Sequence, residues 1–122
     1  VHELGITQGI IDRARAAATE AGGVGVKRLY LAITPAADFT IDSIEMYFEM
    51  LAGEDPFFEG AELVFEWGPA EATCLECGRT FTAEGEGARC PGCEGDQLRY
   101  DPATPMIQLT GVDILESDDA AE

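Results

Sequence analysis

Two short cysteine pairs, Cys74-Leu75-Glu76-Cys77 and Cys90-Pro91-Gly92-Cys93, separated by twelve residues, constrain this chain more than any other feature. Two residues between thiolates let one tight turn present both sulfurs to a single ion. Two such turns face to face supply four sulfur ligands at about 2.3 Å in the closed tetrahedral geometry of structural zinc. Gly78 after the first pair, and Pro91 and Gly92 inside the second, suit knuckles that need restricted or positive φ values. The competing readings are two disulfides, four free thiols, or iron in a rubredoxin-like site. The N-terminus carries no basic stretch followed by an apolar run, which favours a reducing compartment and therefore the metal. With all four positions filled by protein, no coordination site is left for water. The metal is expected to fold the chain and not to catalyse. The His-x-Glu that accompanies the cysteines of zinc deaminases is missing.

The chain has 122 residues, enough for one domain or a small core with a metal-stapled appendage. No apolar run approaches the roughly 20 residues needed to cross a bilayer, so a soluble, cytoplasmic protein is expected, with no membrane partner. Seven Lys and Arg stand against 24 Asp and Glu, a net charge of −17. Phosphate binding depends on cations that this surface lacks, so nucleic acid is excluded as the partner, although it is the common target of zinc ribbons.

Hydrophobic spacing outlines the rest. Ile6, Ile10, Ala14, Ala17 and Ala21 recur at helical intervals from Leu4 to Ala21, and Gly22-Gly23 ends the run. Lys27 to Thr34 alternates with Leu29, Leu31 and Ile33 on one face, a half-buried strand stopped by Pro35. A second helix is expected from Thr40 to Ala52, with Ile41, Ile44, Phe48 and Leu51 as its stripe and Asp38 or Thr40 as cap. Gly53 to Gly60 reads as a loop. Glu62 to Trp67 is a strand with Leu63, Phe65 and Trp67 on one face. Met106 to Leu115 is another, slipping phase at a bulge at Thr110-Gly111. The order predicts an α/β fold: a small three-stranded sheet with two helices, plus an inserted zinc-ribbon domain held by the four cysteines. Residues 1–70 and 101–122 would form the α/β domain and 71–100 the ribbon. Residues 116–122, acidic and small, are expected to be a disordered tail.

The chain begins Val1-His2-Glu3, with its single histidine beside an amine. The terminal nitrogen, the His2 amide nitrogen once deprotonated by metal, and the imidazole Nδ1 can close fused chelate rings around one ion. Planar nitrogen donors of this kind favour Ni(II) or Cu(II). Glu3 can add its carboxylate or its own amide. A histidine near a terminus is more often simply solvated, and the motif alone does not decide between the two.

Taken together, His2-Glu3-Leu4, the Ile6-Thr7-Gln8-x-Ile10 segment opening a helix, and the Cys74/Cys77/Cys90/Cys93 ribbon resemble the HypA/HybF family of nickel metallochaperones. That resemblance runs from His2 to about Ile114. It implies a βαβ-type nickel domain with a zinc domain inserted before the last strand. It also implies a nickel site of amine, His and Glu at Val1, His2 and Glu3, and zinc thiolates at the four cysteines. Val1 stands where the family has Met, and Thr34-Pro35-Ala36-Ala37 replaces the family's usual Gly-Glu-Leu/Arg-Ser stretch. An acidic ligand of one branch of the family falls near Thr40, with Asp38 and Asp42 the nearest carboxylates.

The function implied is delivery of Ni(II) during maturation of nickel-iron hydrogenase. The partners implied are a nickel-handling maturation GTPase and the hydrogenase large-subunit precursor, and a homodimer is left open. A zinc-ribbon adaptor that binds proteins without handling nickel is the alternative. No Ser/His/Asp set or phosphate-cradling glycine loop supports an enzyme.

Overall fold

The computed structural model describes residues 3–116. Val1 and His2 lie outside the described residues, as does the expected disordered tail beyond Glu116. Along the chain the elements are α1 (Glu3–Glu20), β1 (Gly25–Ile33), α2 (Ile41–Ala52), a 3-10 turn (Pro56–Phe58), β2 (Glu62–Trp67), β3 (Ala70–Cys74), β4 (Thr80–Ala83), β5 (Leu98–Tyr100) and β6 (Ile107–Leu115). They form two three-stranded sheets, ordered β2-β1-β6 and β4-β3-β5. The chain divides into two compact units. One holds the described residues up to Leu31, Phe39–Phe65 and those from Leu109 onward; the other holds Ala32–Asp38 and Glu66–Gln108.

In the first unit, α1 packs on α2. The buried face of α1 is Thr7, Ile10, Ile11, Ala14 and Ala18. Ala17 and Ala21, which the helical spacing placed inside, are exposed. The stripe is turned by about one residue, because alanine marks a face weakly and Ile11 outweighs it. Thr7 tolerates burial because its hydroxyl donates to the Glu3 carbonyl at 2.7 Å. The helix stops as expected. Gly22 takes a left-handed φ of 81°, and Gly23 N donates to the Ala18 carbonyl at 2.7 Å.

Thr40 caps α2, its side chain accepting from Ser43 N at 3.1 Å. The buried face of α2 is Ile44, Phe48 and Ala52, whereas Leu51 is exposed. The expected loop after α2 contains the 3-10 turn, which Asp55 caps by accepting from Phe57 N at 2.9 Å. Phe58 from this turn meets Phe48 edge-on at 5.9 Å between ring centres. Arg15 of α1 pairs with Asp55 at 2.6 Å, its guanidinium lying 5.1 Å from the Phe58 ring centre and 5.2 Å from that of Phe57.

β1 lies between β2 and β6. Leu29 and Leu31 are buried, each worth about 1.5–3 kcal/mol relative to exposure. Val24 N donates to Leu115 O, and Thr110 Oγ1 to Tyr30 O, so β1 and β6 run in opposite directions. On the outer face Tyr30 donates to Asp113 at 2.6 Å, with Arg28 3.3 Å from the same oxygen. That bond and Arg28 hold the Asp113 carboxyl below the ordinary range. β6 continues through Thr110-Gly111, where in–out alternation gives way to five half-buried residues. Trp67, expected on an inward face, is exposed at the end of β2.

In the second unit β3 is the central strand. It pairs antiparallel with β4 from Ala70↔Ala83 to Thr73↔Thr80, and with β5 from Ala72↔Tyr100 to Cys74↔Leu98. Ala70, Ala72 and Cys74 are buried on one face, opposite Ala83, Phe81, Tyr100 and Leu98. Thr34, in the segment that departs from the family pattern, is stitched to the chain before β6: its hydroxyl donates to Pro105 O at 2.7 Å and its amide to Met106 O at 3.0 Å.

Candidate metal centre

The four cysteines arrive at one point through two copies of the same turn. Cys74 ends β3, and its amide donates to Arg79 O at 2.8 Å while its carbonyl accepts from Gly78 N at 2.9 Å. Sixteen residues later the pattern repeats: Cys90 N donates to Gly95 O at 2.9 Å, and Cys90 O accepts from Glu94 N at 2.8 Å. Each knuckle needs a left-handed residue directly after its second cysteine. In the first this is Gly78, φ 77°; in the second it is Glu94, φ 62°, the positive-φ non-glycine among the described residues. Gly92, expected to supply a positive φ, is not at one. The repeat of register after each CxxC was the signal that would have found Glu94.

The sulfurs converge. All four Sγ atoms lie within 4.8 Å of one another, with Cys74–Cys93 at 3.5 Å and Cys77–Cys90 at 3.6 Å. A disulfide needs about 2.05 Å, whereas a tetrahedron with arms of about 2.3 Å sets its corners about 3.8 Å apart. The spacing is that of ligands. The first cysteine of each pair is buried and the second exposed, so the cluster closes against the ribbon and faces outward on one side.

Backbone amides point at the sulfurs as they do at thiolates. Cys77 N lies 3.5 Å from Cys74 Sγ and Gly92 N 3.4 Å from Cys90 Sγ. The Arg79 and Gly95 amides donate to Cys77 and Cys93. The amides of Cys93 and Gly92 bring the Cys90 thiol down to about 7. For Cys93 the Gly95 amide pulls down, but the bond to Cys74, burial and the neighbouring Cys77 and Cys90 sulfurs push it up to about 12. Four adjacent sulfurs cannot all ionise unaided, and a divalent cation is what lets them. The residues fit zinc, with each ligand position supplied by protein. The Arg79 guanidinium lies beside Gly92, placing a cation near a centre that would carry excess negative charge.

No other set of three or more His, Cys, Asp or Glu side chains among the described residues is close enough to share an ion. Of the three residues expected to hold nickel, Val1 and His2 lie outside the described residues, and Glu3 is half-buried as the first residue of α1. Asp38 is exposed. Asp42 is exposed in the first turn of α2, and Thr40 is used as the cap of that helix. No described helix is long and apolar enough to cross a membrane.

A family model described as hydrogenase/urease nickel incorporation, metallochaperone, hypA, matches residues 1–107. The hydrogenase maturation factor HypA of Aeromonas hydrophila is 35% identical over 114 residues, 93% of this chain and 99% of that protein. HypA of Dehalococcoides mccartyi strain 195 is 37% identical over 95 residues, 78% of this chain and 79% of the relative. The solution structure of the nickel metallochaperone HypA from Helicobacter pylori shares the fold. Its TM-score is 0.65 at 17% identity, over 96% of this chain and 100% of that one.

Proposed function

We propose, because the chain belongs to the HypA family of hydrogenase and urease nickel-incorporation metallochaperones, that it keeps one metal and hands on another. A family of maturation factors is not a family of catalysts, and the chain is not an enzyme. In this reading Cys74, Cys77, Cys90 and Cys93 hold zinc permanently. Val1, His2 and Glu3 take up Ni(II) for delivery during maturation of nickel-iron hydrogenase in the cytoplasm. The nickel site belongs to the unit that contains α1, and the zinc site to the unit of β3, β4 and β5. The partners are a nickel-handling maturation GTPase and the large-subunit precursor of the hydrogenase.

The match over residues 1–107 carries the proposal, and the start of α1 supports it. The first four amides of a helix have no acceptor within it. With Glu3 in the first turn of α1, nickel can claim its amide nitrogen without breaking a helical hydrogen bond. The same end carries the positive pole of the helix, equivalent to about half a unit charge. It repels a bare dication, so tight retention requires charge from deprotonated amides or the Glu3 carboxylate. Such a site binds when its nitrogens are free of protons and lets go readily, as delivery demands.

The test is isothermal titration with Ni(II) of zinc-loaded protein in three forms: untagged, extended by one residue before Val1, and His2→Ala. The extension moves the amine out of the chelate ring and His2→Ala removes the imidazole, so both weaken nickel binding and spare zinc. Binding also falls between about pH 7.5 and 6, because an amine near 8 and an imidazole near 6.5 must both release protons. An extended protein that binds nickel as tightly as the untagged one refutes the site and leaves the adaptor reading.

A further inference from the structure

The helix α2 is apolar on two sides, and a helix of that kind in a water-facing position has an unused face. Its inner side, Ile44, Phe48 and Ala52, is spent in the core. At about 100° per residue, Met46 and Met50 project from the opposite side, one turn apart, with Tyr47 flanking them. Met46 is 52% and Met50 67% exposed. Beside this ridge runs a row of exposed carboxylates, Asp42, Glu45 and Glu49, with no cation on the helix to pair with them. The imbalance reaches further along the chain: the fifty residues from Leu29 to Gly78 contain eleven Asp and Glu and no Lys or Arg.

From this juxtaposition we infer that the outer face of α2 is a docking surface for a protein partner presenting an amphipathic helix with a Lys- and Arg-rich flank. Flexible thioethers re-pack against varied apolar side chains, which suits a surface that meets and leaves its partner. The carboxylate row selects the cationic flank, steers its approach and makes the contact salt-sensitive. A second copy of this chain is a poor occupant. Its α2 brings the same carboxylates and no cation, so pairing the two faces either opposes like charges or desolvates them unpaired. Polyanions are repelled for the same reason. The inference goes beyond nickel carriage and stands whether or not the N-terminus binds metal.

The chain's three methionines make the test clean, since Met46 and Met50 lie on the face and Met106 lies in the other unit. Zinc-loaded protein carrying ¹³C-methyl methionine is titrated with an 18-residue amphipathic Leu/Lys peptide, and separately with a Leu/Glu peptide of the same pattern. The Met46 and Met50 methyl signals shift with the Leu/Lys peptide, Met106 stays, and the Leu/Glu peptide is inert. Met46→Gln/Met50→Gln, which keeps good helix formers at exposed positions, weakens peptide binding tenfold or more. Glu45→Gln/Glu49→Gln weakens it at least threefold and flattens its salt dependence. Nickel titration of the methionine variant is unchanged, so failure here and failure of the nickel site are told apart. Unaltered peptide binding by Met46→Gln/Met50→Gln, or shifts spread equally over all three methyls, overturns the inference in favour of unspecific polycation attraction. A dimer that forms without peptide and dissolves in that variant overturns it in favour of self-association.

Discussion

The two zinc knuckles set up an internal comparison, because the same left-handed backbone position is filled by Gly78 in one and Glu94 in the other, at φ 77° and 62°. A side chain at such a φ costs about 1–2 kcal/mol against glycine. A Cβ built on Gly78 meets nothing within 4 Å. The penalty for Gly78→Ala is therefore backbone conformation alone, with no clash to confuse it. In a segment whose metal binding is also folding, the cost appears in zinc affinity. Alanine also stiffens the unfolded chain by about 0.4–1 kcal/mol, which offsets part of that cost; at 1.4 kcal/mol per tenfold, Gly78→Ala weakens zinc binding by up to about tenfold. Glu94→Gly acts in the other sense. It relieves the strain but loosens the unfolded chain by about 0.4–1 kcal/mol, so zinc affinity stays level or rises by up to about tenfold. Glu94→Ala leaves a Cβ at the same φ and isolates the loss of the carboxylate. Competition for Zn(II) against a chromophoric chelator at fixed pH measures all three. Tighter zinc binding by Gly78→Ala than by the parent protein would refute the argument, since the stiffer unfolded chain would then meet no penalty in the turn.

Three further outcomes test the packing around the centre and the core. Cys90→Ser leaves three thiolates and an open position, so zinc content falls and the amide signals of β3, β4 and β5 lose dispersion, while far-UV circular dichroism retains the helical signal of α1 and α2. Thr40→Ala removes the cap of α2 and costs about 1 kcal/mol in urea unfolding; Thr40→Asp, which caps as well, restores it. Arg15→Met abolishes the pairing with Asp55, whose carboxyl the Arg15 hydrogen bond and the Phe57 amide hold below its ordinary value. A group held low in the folded state stabilises above its unfolded pKa, about 3.9, and loses that contribution as pH falls through its folded value. The gap between parent and Arg15→Met in urea midpoint, followed by the helical signal, is therefore widest near neutrality and narrows below about pH 4.

The convergence of the four cysteines was legible because each pair is local: three residues of spacing fix two sulfurs, and two such pairs need only be brought together. The helix and strand runs were legible for a similar reason, since Leu29, Leu31 and Ile33 or Ile44 and Phe48 mark a face strongly. Of the alanines in the expected stripe of α1 only Ala14 is buried; the helix turns to bury Ile11 and Ala18 in place of Ala17 and Ala21. Leu51 gave way to Ala52 by the same one-position rotation. The ribbon strands are hard to see in the sequence because they are short, and β3 finds its partners across the knuckles. The Arg15–Asp55 pair joins residues 40 positions apart, which no periodicity reports. Glutamate by itself gives no hint of a positive φ, so only the register it shares with Gly78 marks Glu94.

Native mass spectrometry of the protein with its N-terminus established, loaded with one equivalent each of Zn(II) and Ni(II) and then challenged with a graded excess of a competing chelator, tests the division between a resident and a transferable metal most directly. The account predicts a species carrying one zinc and one nickel that loses nickel first, passing through a zinc-only form. Uptake of no nickel at all, or departure of zinc before or together with nickel, would contradict it.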